Sequence, residues 1–217
     1  MCSNSNKTSA ENNDNSDAVS SEIVLPSPSK DGKVSVEKAL QERRSIRRFK
    51  DTPLSLGIVS QMMWAAYGTT NERGFKTTPS AGAIYPLEFY VAISKVEGIE
   101  AGLYKYNSLH HKLKLIKSGD LRKDLSEASL GQSCIKNASF IIIFTAVFGS
   151  IKLRYGNRGI QYTHNEVGHA GQNIYLQAVS LNIGTVVVGA FVEEKVKAVL
   201  DLKDNQSVLY MMPVGQK

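Results

Sequence analysis

A cluster of cations near the start of the chain is the first group of residues that could do chemistry. The stretch "ERRSIRRFK" at residues 42–50 carries Arg43, Arg44, Arg47, Arg48 and Lys50 around the hydroxyl of Ser45. Guanidinium groups form paired hydrogen bonds with phosphate and carboxylate oxygens. The composition leaves three interpretations open: a site for one anion, a solvated basic surface, or a surface for nucleic acid.

The spacing of the cations in residues 42–50 bears on which of these three interpretations applies. If the chain is extended after Arg44, its side chains alternate in direction. Arg43, Ser45 and Arg47 then face one side together with Phe49, and the other cations face largely away. Two guanidinium groups and a hydroxyl on one side would form a receptor for a single phosphate group. The chain has no recognisable nucleic-acid-binding motif.

Two further stretches combine small residues with a strand pattern. In "TTPSAGAIYPLEFYVAI", residues 77–93, the small residues at 80–83 would let a flat ligand lie against the backbone, although a plain turn explains the same composition. In "GTVVVGAF", residues 184–191, the peptide N–H groups near the glycine could donate to such a ligand. A buried strand that ends at a glycine is the simpler explanation.

The motifs of several other chemistries are missing. No GxGxxG follows a strand, and neither GxxxxGK[ST] nor HExxH occurs, so the sequence does not indicate a dinucleotide-type Rossmann domain, a P-loop or a zinc protease. His164 and His169 would be about 140° apart around a helix and could not share a metal. Two cysteines, Cys2 and Cys134, are too few for a zinc ribbon, an iron–sulfur cluster or a disulfide scaffold. We therefore predict no metal site.

The elements that must position these stretches follow from the hydrophobic pattern. It predicts helices over 35–43, 56–67, 121–130, 159–182 and 193–200. It predicts strands over 87–93, 140–148, 185–191 and 207–214, and a hairpin from 102–108 and 110–120. Helices interleaved with strands and one hairpin are typical of an α+β or mixed α/β domain with a buried sheet.

The helix predicted over 159–182 has a regular apolar row. Ile160, Val167, Ile174 and Leu181 recur every seven residues, and small residues at 168, 170 and 171 would admit a close neighbour. Each glycine costs such a helix about 1 kcal/mol of intrinsic propensity. We therefore expect this helix to pack tightly in the core or against a second subunit.

The length of 217 residues suits one substantial domain, which we place at residues 33–217. Residues 1–32 are rich in Ser, Asn and Asp, and we predict that they form a disordered polar tail. The net charge is +6, and the tail contains two lysines and five acidic residues, so the remainder carries +9. Such a basic domain suits an anionic ligand.

Cys2 raises the question of where the protein resides. The longest apolar run, at 140–148, is too short to span a membrane, so a cytoplasmic protein is the default expectation. A cysteine followed by a polar tether also resembles the start of a mature bacterial lipoprotein, which would be held at the membrane by a lipid on Cys2. An ordinary flexible terminus explains the same residues.

Taken together and in order, the motifs resemble the nitroreductase-like family of FMN-dependent oxidoreductases. "RRSIRRF" is similar to the phosphate-binding motif with which that family opens. "TPSAGAIYPLE", "NEVGHAGQNIYLQAVSLNIGTVVVGAF" and the ending "MMPVGQK" resemble the SagB/ThcOx-type dehydrogenase branch, which includes oxidases of peptide thiazolines and oxazolines. The resemblance covers about residues 35–217.

The resemblance implies an α+β fold with a central, mostly antiparallel sheet wrapped by helices, and an obligate homodimer with FMN at the subunit interface. It implies that the flavin phosphate, ribityl chain and pyrimidine edge are held by Arg43, Arg44, Ser45 and Arg47, with Lys217 as a further candidate for the phosphate. It implies that the other subunit approaches the flavin with Pro79, Ser80, Ala81 and Gly82. It also implies that the flavin ring is lined by Val188, Gly189 and Ala190.

The family's chemistry adds an expectation for the reaction. Hydride would arrive from NAD(P)H and leave through FMN to a nitroaromatic, a quinone or a similar acceptor in a ping-pong cycle. The alternatives are oxidation of a peptide heterocycle or another organic substrate, and a flavin-binding module without turnover.

The peptide-azoline oxidases of this branch use a Lys-Tyr pair ahead of the long helix. Arg154 and Tyr155 stand at the corresponding place. An arginine stays protonated and is a poor general base, so the resemblance does not carry the azoline mechanism over to this chain.

Overall fold

The computed structural model describes residues 22–217. Residues 1–21 of the tail predicted for residues 1–32, including Cys2 and the lipid considered for it, lie outside the described residues. Within residues 22–217, no helix combines the length and the apolar character that a membrane crossing requires. The same part of the chain holds no group of three or more His, Cys, Asp or Glu side chains placed to bind a metal ion.

A seven-stranded sheet with only antiparallel pairing forms the centre of the domain. Its strands are β1 (Glu22–Val24), β3 (Leu87–Ile93), β5 (Gly102–Asn107), β6 (Lys112–Ser118), β7 (Phe140–Val147), β8 (Ile183–Thr185) and β9 (Gln206–Gln216). Their spatial order is β1-β6-β5-β3-β7-β9-β8. Two short strands, β2 (Leu54–Ser55) and β4 (Val96–Glu97), pair in parallel beside it.

Helices cover both faces of this sheet. They are α1 (Val36–Glu42), α2 (Leu56–Tyr67), α3 (Arg122–Ala128), α4 (Ser133–Lys136), α5 (Gly149–Tyr155), α6 (Arg158–Ser180) and α7 (Glu193–Leu200). Buried residues of α2 and α6 share one core cluster with one face of the sheet, and buried residues of α3, α4 and α7 share a second cluster with the other face. Because both of its faces are covered, β7 can be almost continuously apolar.

Most of the predicted elements are confirmed, several to the residue. The helices predicted over 56–67 and 193–200 and the strand predicted over 87–93 coincide with α2, α7 and β3. The helix predicted over 159–182 is α6, whose Val167 and Ile174 are buried. The α+β fold with an antiparallel sheet and surrounding helices is also confirmed.

The domain boundary predicted at residue 32 is wrong for the described part of the tail. Residues 22–34, which we call the N-terminal strap, begin with β1, whose three residues pair with β6. Leu25 is 3% exposed, and the backbone of Ser29 exchanges two hydrogen bonds with the Gln61 side chain on α2. The composition of the whole tail concealed "EIVL", which is apolar enough to form a short edge strand.

The strand predicted over 185–191 is wrong in extent, because β8 ends at Thr185. Thr185 pairs with Val214, so the next pair in register would place Val186 opposite Pro213. Proline has no N–H to donate to the ladder, so regular pairing stops there. Val188 returns to the ladder as an isolated bridge with Met211.

Helix α5 was not predicted. Its seven residues, "GSIKLRY", are too few to show a helical period, and they lie between a buried strand and the long helix. Gly156 ends α5 with φ of 56°, a backbone conformation that glycine adopts without strain. The consequence is local but important, because Arg154 and Tyr155 form the last turn of α5.

Candidate active site

The arginine segment, residues 43–50, leaves the end of α1 and runs along the edge of the sheet. Ser35 caps the start of α1 by accepting a hydrogen bond from the Lys38 N–H. After α1 ends, the Ile46 N–H donates to the Thr185 carbonyl and the Lys50 N–H donates to the Gln216 carbonyl, both at 2.9 Å. These bonds fix the segment beside the ends of β8 and β9.

Two glycines bring the sheet edge close to this segment. A Cβ at Gly184 would lie 2.8 Å from the Ile46 side chain, and a Cβ at Gly215 would lie 2.5 Å from the Phe49 ring. Ile46 and Phe49 therefore both pack toward the sheet, three residues apart. The strict alternation that placed Phe49 on the side of Arg43 is wrong at that residue, because these two apolar side chains anchor the segment together.

The cations of the arginine segment carry unbalanced charge. No ion pair formed within residues 22–217 includes any of them. All are exposed except Arg43, which is half-buried. The Arg44 guanidinium donates to the carbonyl oxygens of Gln41 and Arg43 at 2.9 and 2.8 Å, which directs it back over the end of α1.

Tyr175 on α6 connects the arginine segment to the loop that follows β8. Its hydroxyl lies 3.0 Å from the Ser45 Oγ and accepts a hydrogen bond from the Val187 N–H at 2.9 Å. The Arg43 guanidinium carbon lies 5.0 Å from the centre of the same ring, which is a cation–π contact. Tyr175 was not predicted as a site residue, because a half-buried tyrosine in a helix gives no sequence signal of its own.

The loop after β8 places free donors next to that tyrosine. The Val188 N–H is not free, since Val188 and Met211 exchange two backbone hydrogen bonds at 2.8 and 3.0 Å. Gly189 and Ala190 are exposed, and neither N–H donates to a backbone or side-chain acceptor within residues 22–217. The Ala190 carbonyl accepts from the Gln132 amide at 2.8 Å, which fixes the loop. Residues 43–47 and 187–190 together form what we call the basic half-site.

Lys217 follows the Lys50 end of the arginine segment, outside this half-site. β9 ends at Gln216, whose carbonyl is paired with Lys50, so the final residue follows directly beside the arginine segment. Lys217 is exposed.

The residues predicted around Ser80 form a separate group, which we call the loop half-site. It comprises residues 79–82 together with Arg154 and Tyr155. Ser80 accepts a hydrogen bond from the Tyr85 N–H at 2.9 Å, and a turn of 3-10 helix, Ala81–Ala83, follows it. Gly82 has φ of 62°, which favours glycine.

Arg154 and Tyr155 meet this turn directly. The Arg154 guanidinium donates to the Gly82 carbonyl at 3.3 Å. A Cβ at Gly82 would lie 2.6 Å from the Tyr155 hydroxyl and 2.8 Å from a guanidinium nitrogen of Arg154. Two stretches that are more than seventy residues apart in sequence are thereby in contact.

Within one chain, the two half-sites lie on different sides of α6. Tyr162, Asn165, Glu166 and His169, spaced as one helical stripe, line a cavity with residues 79–81. Tyr175 belongs to the basic half-site. Glu166 and Tyr175 are nine residues apart, about two and a half turns, so they point in opposite directions and are separated by about 13 Å along the axis.

Glu166 is the most unusual side chain of this region. It is 1% exposed, and its Oε1 accepts a hydrogen bond from the Tyr67 hydroxyl at 2.5 Å. Its Oε2 is buried without a hydrogen-bond partner. Burial raises the pKa of the Glu166 carboxyl, and the hydroxyls of Ser80 and Tyr67 and the charges of His169 and Lys76 oppose that rise.

Lys76 completes the surroundings of Glu166. Its ammonium group lies 4.3 Å from the centre of the Tyr67 ring and donates to the Ser108 hydroxyl. Burial lowers the pKa of Lys76 to about 8, although the Glu166 charge opposes the change. Neither Lys76 nor Glu166 was predicted as a site residue. A signal for Glu166 did exist, since it is an acidic residue among the buried residues Thr163, Val167 and Ala170 of α6.

Comparison with known proteins identifies the class to which this fold and site belong. The model of the nitroreductase family matches residues 40–216. The chain is 43% identical over 196 residues to a nitroreductase-like protein, MJ1384, of Methanocaldococcus jannaschii, and the match covers 90% of this chain and 96% of that protein. The chain therefore belongs to the nitroreductase family and is an oxidoreductase, as the motifs predicted.

A second relative bears on the predicted branch. The chain is 35% identical over 162 residues to the trifolitoxin-processing protein TfxB of Rhizobium leguminosarum bv. trifolii. The match covers 69% of this chain but only 43% of TfxB. This similarity supports the SagB-type branch.

Among solved structures, a nitroreductase-like protein of Ralstonia eutropha superposes with a TM-score of 0.79 at 28% sequence identity. The superposition covers 90% of this chain and 89% of that one. The described fold is therefore that of the family over almost its whole length.

Proposed function

We propose that this protein is a homodimeric oxidoreductase that binds FMN and passes hydride from NAD(P)H to an organic acceptor. One observation carries the proposal: the unpaired cations of residues 43–47 lie next to the free N–H groups of Gly189 and Ala190, and Tyr175 ties the two segments together. This donor set suits a ligand with an anionic end and a flat end that accepts hydrogen bonds.

The basic half-site fits the phosphate and ribityl chain of FMN. Arg43, Arg44 and Arg47 have no carboxylate partner in the described chain, so a phosphate dianion would balance charge that is otherwise solvated. Ser45 supplies a hydroxyl beside Arg43, and Lys217 is a further candidate for the phosphate from the family motif alone. These assignments follow the family motif. The contacts of Arg43 and Ser45 with Tyr175 support theirs, whereas the Arg44 guanidinium donates to the carbonyls of Gln41 and Arg43 and would have to turn toward the phosphate.

The loop after β8 fits the flavin ring. A Cβ at Gly189 would lie 3.5 Å from the Tyr210 ring, an ordinary contact, so the loop itself is not crowded. Gly189 and Ala190 offer the free N–H groups, and Val188 supplies apolar support from beneath. FMN bound here would supply two-electron redox chemistry, and the protein would orient the ring and keep water from it.

The second subunit would complete the site. The loop half-site lies on a different side of α6 from Tyr175, so one ligand held by Arg43 is poorly placed to contact Ser80 of the same chain. A two-fold dimer places equivalent surfaces of two copies together. We therefore assign Pro79, Ser80, Ala81 and Gly82 of one copy to the FMN held by the arginines of the other.

The acceptor is the least constrained part of the proposal. A nitroaromatic compound or a quinone fits the flat, partly apolar site. A peptide heterocycle is the second candidate, favoured by the similarity to TfxB and by the contact of Arg154 and Tyr155 with Gly82. Arg154 is exposed, and a guanidinium is a poor general base, so it would orient a substrate rather than remove a proton.

The matched variants Arg43→Ala and Arg48→Ala test the cofactor site. Arg43 contacts Tyr175, whereas Arg48 is exposed and has no contact with that residue. We expect Arg43→Ala to weaken FMN binding by about ten- to a hundredfold, the loss of a charge-assisted contact, and Arg48→Ala to leave it nearly unchanged. FMN content and affinity are measured from the flavin absorbance after gel filtration.

The same preparation tests turnover. Anaerobic NADPH or NADH should bleach the flavin absorbance, and a quinone should restore it. A protein that takes up no FMN would overturn the proposal. A yellow protein that neither nicotinamide bleaches would instead indicate an oxidase of another substrate or a binding module, and equal effects of the two arginine variants would contradict the assignment of Arg43.

A further inference from the structure

The cavity beside the loop half-site has one wall of helix and one wall of loop. Its volume is about 270 Å³, and it is lined by residues 79–81 and by Tyr162, Asn165, Glu166 and His169 of α6. The volume is just below the usual range for small-molecule sites, which suits one ring or one polar substituent rather than a large ligand. The loop wall is the segment that we assign to the flavin of the partner.

Glu166 is held in this cavity in one orientation. Tyr67 reaches across from α2 and donates to Oε1, and the two residues are almost completely buried. Oε2 has no hydrogen-bond partner within residues 22–217. The Ser80 hydroxyl lies near enough to lower the pKa of the carboxyl, but its oxygen is engaged with the Tyr85 N–H. A buried polar atom without a partner is costly, of the order of 1–3 kcal/mol, so its retention is informative.

The charged groups around Glu166 favour a role as a proton donor over a role as a cation-binding site. The charged groups that face Glu166 are Lys76 from the loop before Ser80 and His169 from its own helix. The Lys76 ammonium group already lies over the Tyr67 ring, so it would repel a second cation beside Glu166. A ligand group that accepts a hydrogen bond meets no such repulsion.

We propose that Glu166 is a catalytic acid that gives its Oε2 proton to an oxygen atom of the acceptor bound in this cavity, with Tyr67 as the residue that positions it. This inference rests on the proposed function. A quinone that takes up a hydride gains two electrons and one proton, and it needs one more proton to become a hydroquinone. The O–H bond of Glu166 breaks as the O–H bond of the acceptor forms, and water entering the cavity reprotonates the carboxylate.

The protonation of Glu166 predicts how acceptor reduction depends on pH. Burial keeps the proton on Glu166 to a higher pH than on an ordinary glutamic acid, because it raises the pKa of the carboxyl. Acceptor reduction should therefore fall as pH rises through that pKa. Deprotonation of Lys76, whose pKa is about 8, removes a charge that opposes the proton and so extends the active range upward.

Infrared spectroscopy tests the proton without any turnover. The carbonyl band of a protonated carboxylic acid should persist in the wild-type protein above the pH at which ordinary glutamic acids ionise, and it should be missing from Glu166→Gln. Glu88→Gln is the matched control, because Glu88 is a half-buried carboxylate paired with Lys105 at 2.8 Å. A band that titrates like an ordinary carboxyl would overturn the assignment.

Kinetics with two acceptors test the role. Ferricyanide takes one electron at a time and needs no proton, whereas menadione, a quinone, needs one. We expect Glu166→Gln to lower kcat for menadione by about 10²–10⁴-fold, the usual contribution of a general acid, and to flatten the alkaline fall of the pH profile. Ferricyanide reduction by Glu166→Gln should fall far less than menadione reduction, and Glu88→Gln, outside the cavity, should keep both rates and the FMN content. Tyr67→Phe should weaken menadione reduction less and shift the pH profile.

The outcomes separate this inference from the proposed function. If the wild-type protein binds no FMN and reduces neither acceptor, the proposed function has failed. If it reduces both, and Glu166→Gln slows both equally or neither, the catalytic role of Glu166 is refuted while the proposed function stands.

Discussion

His111 shows how much of this structure depends on individual polar contacts. It lies where the hairpin of β5 and β6 meets the N-terminal strap. Its Nδ1 is 2.8 Å from the Tyr106 hydroxyl, and its Nε2 is 2.7 Å from the Ser60 Oγ and 3.2 Å from the Pro26 carbonyl. One neutral tautomer, with the proton on Nε2, satisfies all of these contacts.

These contacts make stability depend on pH. Burial lowers the pKa of His111 from its ordinary value of 6.5. Below pH 6.5 the unfolded chain therefore binds a proton that the folded chain does not, and the free energy of unfolding decreases on acidification, by at most about 1.4 kcal/mol per pH unit for one proton. Urea denaturation at pH values on either side of 6.5 measures this slope.

The two adjacent histidines provide a matched comparison. His111 has φ of 50°, which asparagine tolerates, so His111→Asn is the appropriate variant. It should lose stability overall and lose most of the acid slope. His110 is exposed, and His110→Asn should keep the wild-type slope. An unchanged slope in His111→Asn would show that other groups cause it.

At the scale of residues, sequence motifs and structure contribute different information. The motifs "RRSIRRF" and "PSAGAIYP" can be recognised in the sequence because several unusual residues stand together in each. Tyr175 and Glu166 are single residues in a long helix, and their roles arise from contacts with Ser45 and Tyr67, each about a hundred or more positions away. Such contacts exist only after the chain has folded. An acidic residue on the apolar side of α6 could have singled out Glu166, but the local sequence does not show which partner gives either residue its role.

At the scale of elements, the arginine segment depends on its packing against β8 and β9. It has no regular secondary structure, and its position is set by two backbone hydrogen bonds and by the contacts of Ile46 and Phe49 with glycines of the sheet. Shifts in this edge should therefore be transmitted to Arg43.

Gly215→Ala tests this dependence. The new Cβ would lie 2.5 Å from the Cγ and 2.6 Å from the Cβ of Phe49, so the segment must move. We expect a loss of stability of about 1–3 kcal/mol, typical of overpacking, and a weaker affinity for FMN. Thermal unfolding and flavin titration measure the two effects. Gly149→Ala is the control, because nothing lies within 4 Å of its new Cβ, and equal losses in both variants would refute the packing argument.

The elements also show where the hydrophobic pattern predicts secondary structure correctly and where it does not. Long periodic segments such as α6 and strongly apolar strands such as β7 were predicted well, because packing against a core repeats along them. The strand predicted over 185–191 failed because its partner strand contains Pro213, which lies 22 or more positions further along the chain. Pairing partners that are distant in sequence decide where a strand ends.

At the scale of the whole molecule, the proposed dimer makes α6 part of two sites. The Glu166 side of each helix would serve one FMN, and the Tyr175 side would serve the other. A chain that has lost one half-site could then still complete the site of a partner that has lost the other. A site built within one chain could not be restored in this way.

Complementation tests this arrangement. Arg43→Ala damages the basic half-site, and Ala81→Trp obstructs the loop half-site. Each variant alone should retain little FMN, whereas the mixed dimer, isolated from co-expressed chains with two affinity tags, should hold one FMN. Absorbance per dimer gives the stoichiometry. A mixed dimer without flavin, formed from folded chains, would contradict the assignment of Ser80–Gly82 to the partner's site.

The N-terminal strap has a consequence for the sheet as a whole. β1 covers the outer edge of β6, so the backbone groups of that strand are paired along Lys112–Lys114. The match to the family model begins only at residue 40. A chain shortened to that boundary would expose β6 as an open edge, a template for strands of other molecules. We therefore expect a chain shortened to residue 40 to aggregate more readily than the full chain, because its β6 edge is no longer paired along Lys112–Lys114.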